Sequence, residues 1–206
     1  MSVPSRKWRE RYPSVSAYLD QLPHGWSSYP DCEASGMLVR WLSAHDALDP
    51  LEGLPAELPA SWIDRSWIPE VLYVGTMLAI LDATFAGDAS QFLKWSADSS
   101  AERMAISGET LNRDPALVMS SGAELWASYH RGTPATTTVT SPTTATFVID
   151  HPAPLFPRPI LDHIAKGVAV ALVRADGAQP RVDVHTDIDA TMARTTMTAS
   201  WLDRSR

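Results

Sequence analysis

The run from Val71 to Phe85 is apolar at nearly every position, with Val71, Leu72, Val74, Met77, Leu78, Ile80, Leu81 and Phe85 leaving Thr76, Asp82 and Thr84 as its polar members. A surface helix carries an apolar stripe on one side only, so this pattern predicts a central helix after Pro69 that is buried on most sides. Gly75 within it would let a neighbouring backbone or a ligand come close; ordinary helix packing is the alternative reading. Before Trp67 the chain is punctuated by Pro4, Pro13, Pro23, Pro30, Pro50, Pro55 and Pro59, which predicts short helices and turns. Ser14 is placed to cap a helix through Leu22, and Ala34 to Ala44 puts Met37, Leu38, Trp41 and Leu42 on one helical face. The stretch Leu51 to Trp62 reads as a connector packed by its own leucines. After the apolar helix, Asp88 is a cap for a helix bearing Phe92, Leu93, Trp95 and Met104. Asp114 with Pro115 opens another, which buries Val118, Leu125, Trp126 and Tyr129 and ends at Gly132.

Beyond Gly132 the period changes to two. Ala135 to Ser141 and Thr143 to Ile149 are rich in β-branched residues, with a hairpin turn at Ser141-Pro142. A helix striped by Leu161, Ile164, Ala165, Val168 and Leu172 follows, closed by Asp176-Gly177. Two strands complete the chain: Arg181 to His185, ending near Thr186, and Thr195 to Trp201 with Met197, Ala199 and Trp201 on one face. The order predicts an α+β fold, a helical N-terminal half followed by a small antiparallel sheet with strand, strand, helix, strand, strand. We read residues 1–206 as a single domain, 1–67 an irregular helical region and 68–206 the α+β core.

Composition narrows the functional classes. A net charge of −7 opposes a nucleic-acid surface, which needs clustered Lys and Arg. The single cysteine, Cys32, excludes an intramolecular disulfide and a cysteine-cluster metal site. No apolar run reaches the ~20 residues that span a bilayer, and the first residues lack the apolar core of a secretory signal, so no membrane role and a cytoplasmic location are expected.

Catalytic chemistry is not apparent. Ser120-Ser121-Gly122 is not a nucleophile elbow, no glycine-rich phosphate loop exists, and no His pair has zinc-ligand spacing. Asp183, His185, Asp187 and Asp189 alternate along a strand and would offer a hard cation several ligands if the strand stayed extended; a solvated strand face is the alternative. His130 suits the end of a helix, where positive charge meets the dipole, and His163 lies beside its helix's apolar stripe. The turn from Gly25 to Cys32 gathers Trp26, Tyr29, Asp31 and the thiol of Cys32. It reads as an anchor for the N-terminal region or as a surface that meets a ligand or partner. A carboxylate beside that thiol disfavours the reactive thiolate.

Tyr18-Leu-Asp-Gln-Leu-Pro23, Ser28-Tyr-Pro-Asp-Cys32, Trp67-Ile-Pro-Glu70 with the following apolar helix, Leu125-Trp126, Tyr129 to Gly132 and the closing strand at Trp201 occur in an order that resembles a myxobacterial family of unknown function. At the level of fold that family is similar to 4-vinyl-reductase, heme-nitric-oxide-binding and transport-particle (TRAPP) subunit domains. The resemblance implies a pocket for an apolar small molecule and frequent dimerisation. Heme-nitric-oxide sensors carry Tyr-x-Ser-x-Arg for the heme propionates. Here Tyr12-Pro-Ser14-Val-Ser16 has Ser in place of Arg, which cannot make the bidentate contact, so no cofactor, heme included, is expected.

Two readings follow. In the first the chain is a non-enzymatic ligand-binding or sensory module whose pocket is lined by Val74, Met77, Leu78 and Leu81 with Trp126 and Trp201, ordinary core being the better reading for any one of them taken singly. In the second it is a homodimeric scaffold or adaptor for protein partners, supported by Trp8, Trp26, Trp41, Trp62 and Trp67.

Overall fold

The apolar run forms helix α3 (Glu70–Phe85), buried from Glu70 through Asp82 as its composition dictates. The computed structural model describes residues 5–39, 67–106 and 114–203. Contacts divide the chain into two compact units, the first comprising Met1–Phe92, Tyr129–Gly132 and Pro154–Ile160, the second Leu93–Ser128, Thr133–Ala153 and Leu161–Arg206.

In the first unit α1 (Arg6–Arg11), α2 (Pro13–Gln21) and a short 3-10 turn (Gly25–Ser27) precede α3. Ser14 does not cap α2. Tyr12 holds the N-cap position without a side-chain bond, and the carboxylate of Asp82 on α3 accepts instead from the N–H groups of Ser14 at 2.8 Å and Val15 at 3.3 Å. A buried carboxylate on a neighbouring helix thus performs the cap. Ala34 and Ser35 are not helical. They lie in strand β1 (Glu33–Ser35), between β2 (Trp67–Pro69) and β3 (His130–Arg131) in an antiparallel sheet; 36–39 are helical, and the rest of the expected helix, like the 51–62 connector, lies outside the described residues.

The second unit holds the predicted sheet. Strands β4 (Ala135–Ser141), β5 (Thr144–Pro152), β6 (Gly177–Asp189) and β7 (Met192–Asp203) pair antiparallel in the order β4-β5-β7-β6, and α7 (Arg158–Arg174) lies between β5 and β6 in sequence. One face is apolar, with Phe147, Ile149, Met197, Ala199 and Trp201 buried, and the other carries Thr, Asp and Arg. Strand β6 continues past Thr186 to Asp189, so the expected early end is corrected. Helix α4 (Ala89–Ile106) is capped by Asp88, which accepts from Ser90 and Gln91 N–H. Asp114 caps the next helix as expected, but it breaks in two, α5 (Pro115–Ser120) and α6 (Gly122–Tyr129). Leu125 is exposed and Val118 and Tyr129 are half-buried rather than buried, while Met119 is buried.

Candidate functional site

The small sheet brings together groups far apart in sequence. Glu33 lies opposite both Pro69 and Arg131, and the Glu70 N–H donates to Cys32 O at 2.8 Å, so Cys32, Glu70 and the chain around Gly132 converge. Gly132 adopts φ 72°, and a Cβ there would sit 2.8 Å from the carbonyl carbon of Asp31, so this crossing requires glycine. Glu70 is fully buried. Its Oε2 meets Nδ1 of His130 at 2.9 Å, while Oε1 has no hydrogen-bond partner. His130 directly follows the end of α6 at Tyr129, opens β3 and holds a buried carboxylate through Nδ1, with Tyr73 edge-on to its ring.

Around this pair lie two further titratable groups. Cys32 is buried and donates through Sγ to Gly132 O at 3.5 Å. Burial, reinforced by the negative charges of Glu70 and Asp31, pushes its thiol up to about 11, which makes it a poor nucleophile at neutral pH. Tyr18 donates to Leu155 O at 3.1 Å, and burial, with Glu70, Tyr29 and Cys32 nearby, raises its phenol well above the ordinary value. The arrangement holds hydrogen-bonding groups away from water but offers no activated nucleophile.

Val74, Met77, Leu78 and Leu81 are all buried on α3. Trp26 is half-buried with its ring against Gly75, where a Cβ would come within 2.6 Å of Cη2; the close approach that Gly75 permits is therefore made by an indole. Tyr29 is half-buried in a left-handed conformation, φ 53°, Asp31 is exposed and Cys32 is inside. Trp126 and Trp201 belong to the second unit, where both are buried. Trp126 Nε1 donates to Thr133 O at 2.7 Å, and its ring meets Phe147 edge to face. Of the other tryptophans, Trp8 and Trp67 are half-buried, the latter under the Arg131 guanidinium at 3.8 Å, and Trp41 and Trp62 lie outside the described residues.

The second unit carries two polar networks that the sequence does not announce. His151 is fully buried. Its Nδ1–H donates to Pro152 O, since a carbonyl can only accept, and Nε2 then accepts from Thr195, whose oxygen lies 3.0 Å from that of Thr186. Burial pushes this imidazole below its usual value. His163 Nδ1 bonds Ser96, whose side chain is fully buried. Along β6 the acidic row is exposed, His185 bonds Asp187 at 3.0 Å, and no group of three metal-ligating side chains occurs among the described residues.

No protein-family model matches the chain, and no curated protein does. Solved structures do. An H-NOX domain studied for the molecular mechanism of H-NOX activation is similar at TM-score 0.52 with 7% identity, over 82% of this chain and 94% of that one. A T. tengcongensis H-NOX variant reaches 0.52 with 9% identity, over 94% and 98% of the two chains. A further H-NOX, solved to probe heme distortion in that family, scores 0.52 with 8% identity over 82% and 95%. These likenesses establish the fold, helices followed by the antiparallel sheet. They also correct the expectation of no cofactor. The fold is shared with domains studied for their heme, so one missing Arg does not remove heme from consideration. The Tyr12 to Ser16 segment forms the start of α2, where Ser16 Oγ donates to Tyr12 O. No single helix among the described residues is long and apolar enough to cross a membrane.

Proposed function

We propose that this chain is a non-enzymatic sensory or ligand-binding module of the cytoplasm, akin to the myxobacterial family its motifs resemble, and that its ligand is a flat, largely apolar small molecule, with heme the first to test. The observation that carries the reading is the H-NOX-like fold spanning at least four-fifths of the chain. The apolar helix α3, with Val74, Met77, Leu78 and Leu81, supports it by supplying adaptable apolar surface.

One pair in the chain resembles the way a protein orients a metal-bound imidazole. A metal-bound imidazole is ordinarily oriented by a carboxylate on one nitrogen, and Glu70 holds His130 Nδ1 in that manner, so His130 would be the first residue to test as an iron ligand. A bound heme would supply gas binding or redox chemistry at its iron. The chain's own part would be to orient the imidazole, through a carboxylate that is itself buried, and to exclude water.

Hemin titration into purified protein tests this. A Soret band with saturable stoichiometry is expected, altered in His130→Ala but retained in His24→Ala, whose imidazole is exposed. Absence of a saturable Soret change removes heme, and a thermal-shift screen that then finds no stabilising apolar ligand removes the ligand-binding reading. The homodimeric scaffold remains the second reading, favoured by the charge pattern on β6.

A further inference from the structure

Strand β6 pairs with β7 on one side and has no strand on its other side among the described residues. Its solvent row is Arg181, Asp183, His185 and Asp187, alternating with the half-buried Val182, Val184 and Thr186. His185 and Asp187 side chains are 75% and 72% exposed. Edge strands commonly carry charge to prevent pairing with other chains. A blocking row would serve with one sign, whereas this one carries both, in an order that can be tested against itself.

Two copies joined edge to edge must keep solvent-facing residues opposite solvent-facing residues, or the continuous sheet would turn its apolar row to water. Few antiparallel registers satisfy this. Centring the twofold axis on Asp183 sets that carboxylate against its own copy, and centring it on His185 sets Asp183 against Asp187. Centring it on Thr186 sets Asp183 against Asp189. Centred on Val184, the row becomes complementary throughout: Arg181 faces Asp187 of the second copy, Asp183 faces its His185, and both pairs repeat through the symmetry. On the other face Val184 meets Val184 and Val182 meets Thr186. The irregularity between Ala178 and Arg181 bounds the usable strand at one end, and the turn after Asp189 bounds it at the other.

We propose that β6 is a self-complementary edge through which two copies of this chain pair antiparallel about Val184, making one continuous eight-stranded sheet from two copies of β4-β5-β7-β6. With a net charge of −7 on each copy, association is opposed at long range, so the local pairing of opposite charges selects the register. The proposal is independent of the ligand, since no residue of β6 belongs to the Glu70 and His130 group.

Sedimentation velocity across a concentration series tests it. Wild type is expected to dimerise. Arg181→Asp and Asp187→Arg each place like charges opposite one another and should weaken self-association by about tenfold or more. An equimolar mixture of the two variants should associate again, because the acid introduced in one copy meets the arginine introduced in the other. Thermal melts check that each variant is folded. If Asp187→Arg does not fold, His185→Asp sets two carboxylates opposite one another, and Asp183→Arg is its complement in the mixing test. Wild type that stays monomeric at the highest concentration, single variants that still dimerise, or folded variants whose mixture does not associate would each overturn the proposal.

Discussion

The two units differ in the charged groups they bury, while both bury hydroxyls and Thr137 Oγ1 of the second also has no partner. The first buries two carboxylates, Glu70 and Asp82, and leaves one oxygen of each without a partner. The second buries neutral groups, His151, Thr195, Ser96 and Thr133, whose hydrogen bonds run to one another, to nearby side chains or to main chain. A half-satisfied buried carboxylate costs stability, whereas a satisfied neutral network rigidifies. The unpartnered carboxylate oxygens of the first unit are therefore where a proton, a water or a ligand donor has most to gain.

The comparison can be broken most severely at the backbone crossing that shapes the first unit. Gly132→Ala would force a Cβ against the Asp31 carbonyl at a left-handed φ and should destabilise by about 3 kcal/mol in urea unfolding, with loss of the Glu70–His130 pair. Next in size, Asp82→Ala removes the acceptor for two N–H groups of α2 and should cost about 2 kcal/mol, whereas Asp82→Asn keeps an acceptor and should be close to neutral.

The sign of the pH response separates the units further. Burial raises the Asp82 carboxyl above 3.8, with its hydrogen bonds opposing, so the folded state holds a proton that the unfolded chain releases. Its stabilising effect is present below the unfolded value and lost as pH rises through the folded one; wild type should therefore fall behind Asp82→Asn over that window. His151 runs the other way. Its folded value lies below 6.5, so the unfolded chain binds the extra proton, and stability should drop as pH falls below 6.5 by at most ~1.4 kcal/mol per pH unit. Unfolding midpoints for His151→Gln should lack this dependence.

Two smaller effects sharpen the contrast. Cys32, with its thiol near 11 and its side chain inside, should resist alkylation at pH 8 until denaturant is added. Asp20→Asn breaks the exposed Arg9–Asp20 pair and should leave the unfolding midpoint unchanged within error.

Much of the second unit was legible in sequence because its signals are local and repeated. Alternation in Ala135 to Ser141 and Thr195 to Trp201, and the cap at Asp114, each specify one element without reference to the rest. The break after Ser120 was hidden, since neither Ser121 nor Gly122 forbids a helix. The first unit was harder. Strands of two or three residues, β1, β2 and β3, are too short to show a period, so Ala34 looked helical. Glu70 and His130 meet across 60 positions, and the only local hint was an acid placed directly before a long apolar run. Asp82 as a cap for α2 was equally invisible, because the carboxylate that closes the helix is on another helix. A five-residue motif such as Tyr12 to Ser16 is likewise silent on the fold as a whole, which is what the heme-domain structures share with this chain.

The indole of Trp26 fills the space where any larger residue at position 75 would place its first carbon. These two positions are consequently not free to drift alone. Among descendants of this sequence, alanine or anything bulkier at 75 should be accompanied by a smaller side chain at 26, and that joint substitution pattern could be sought in an alignment without purifying any protein.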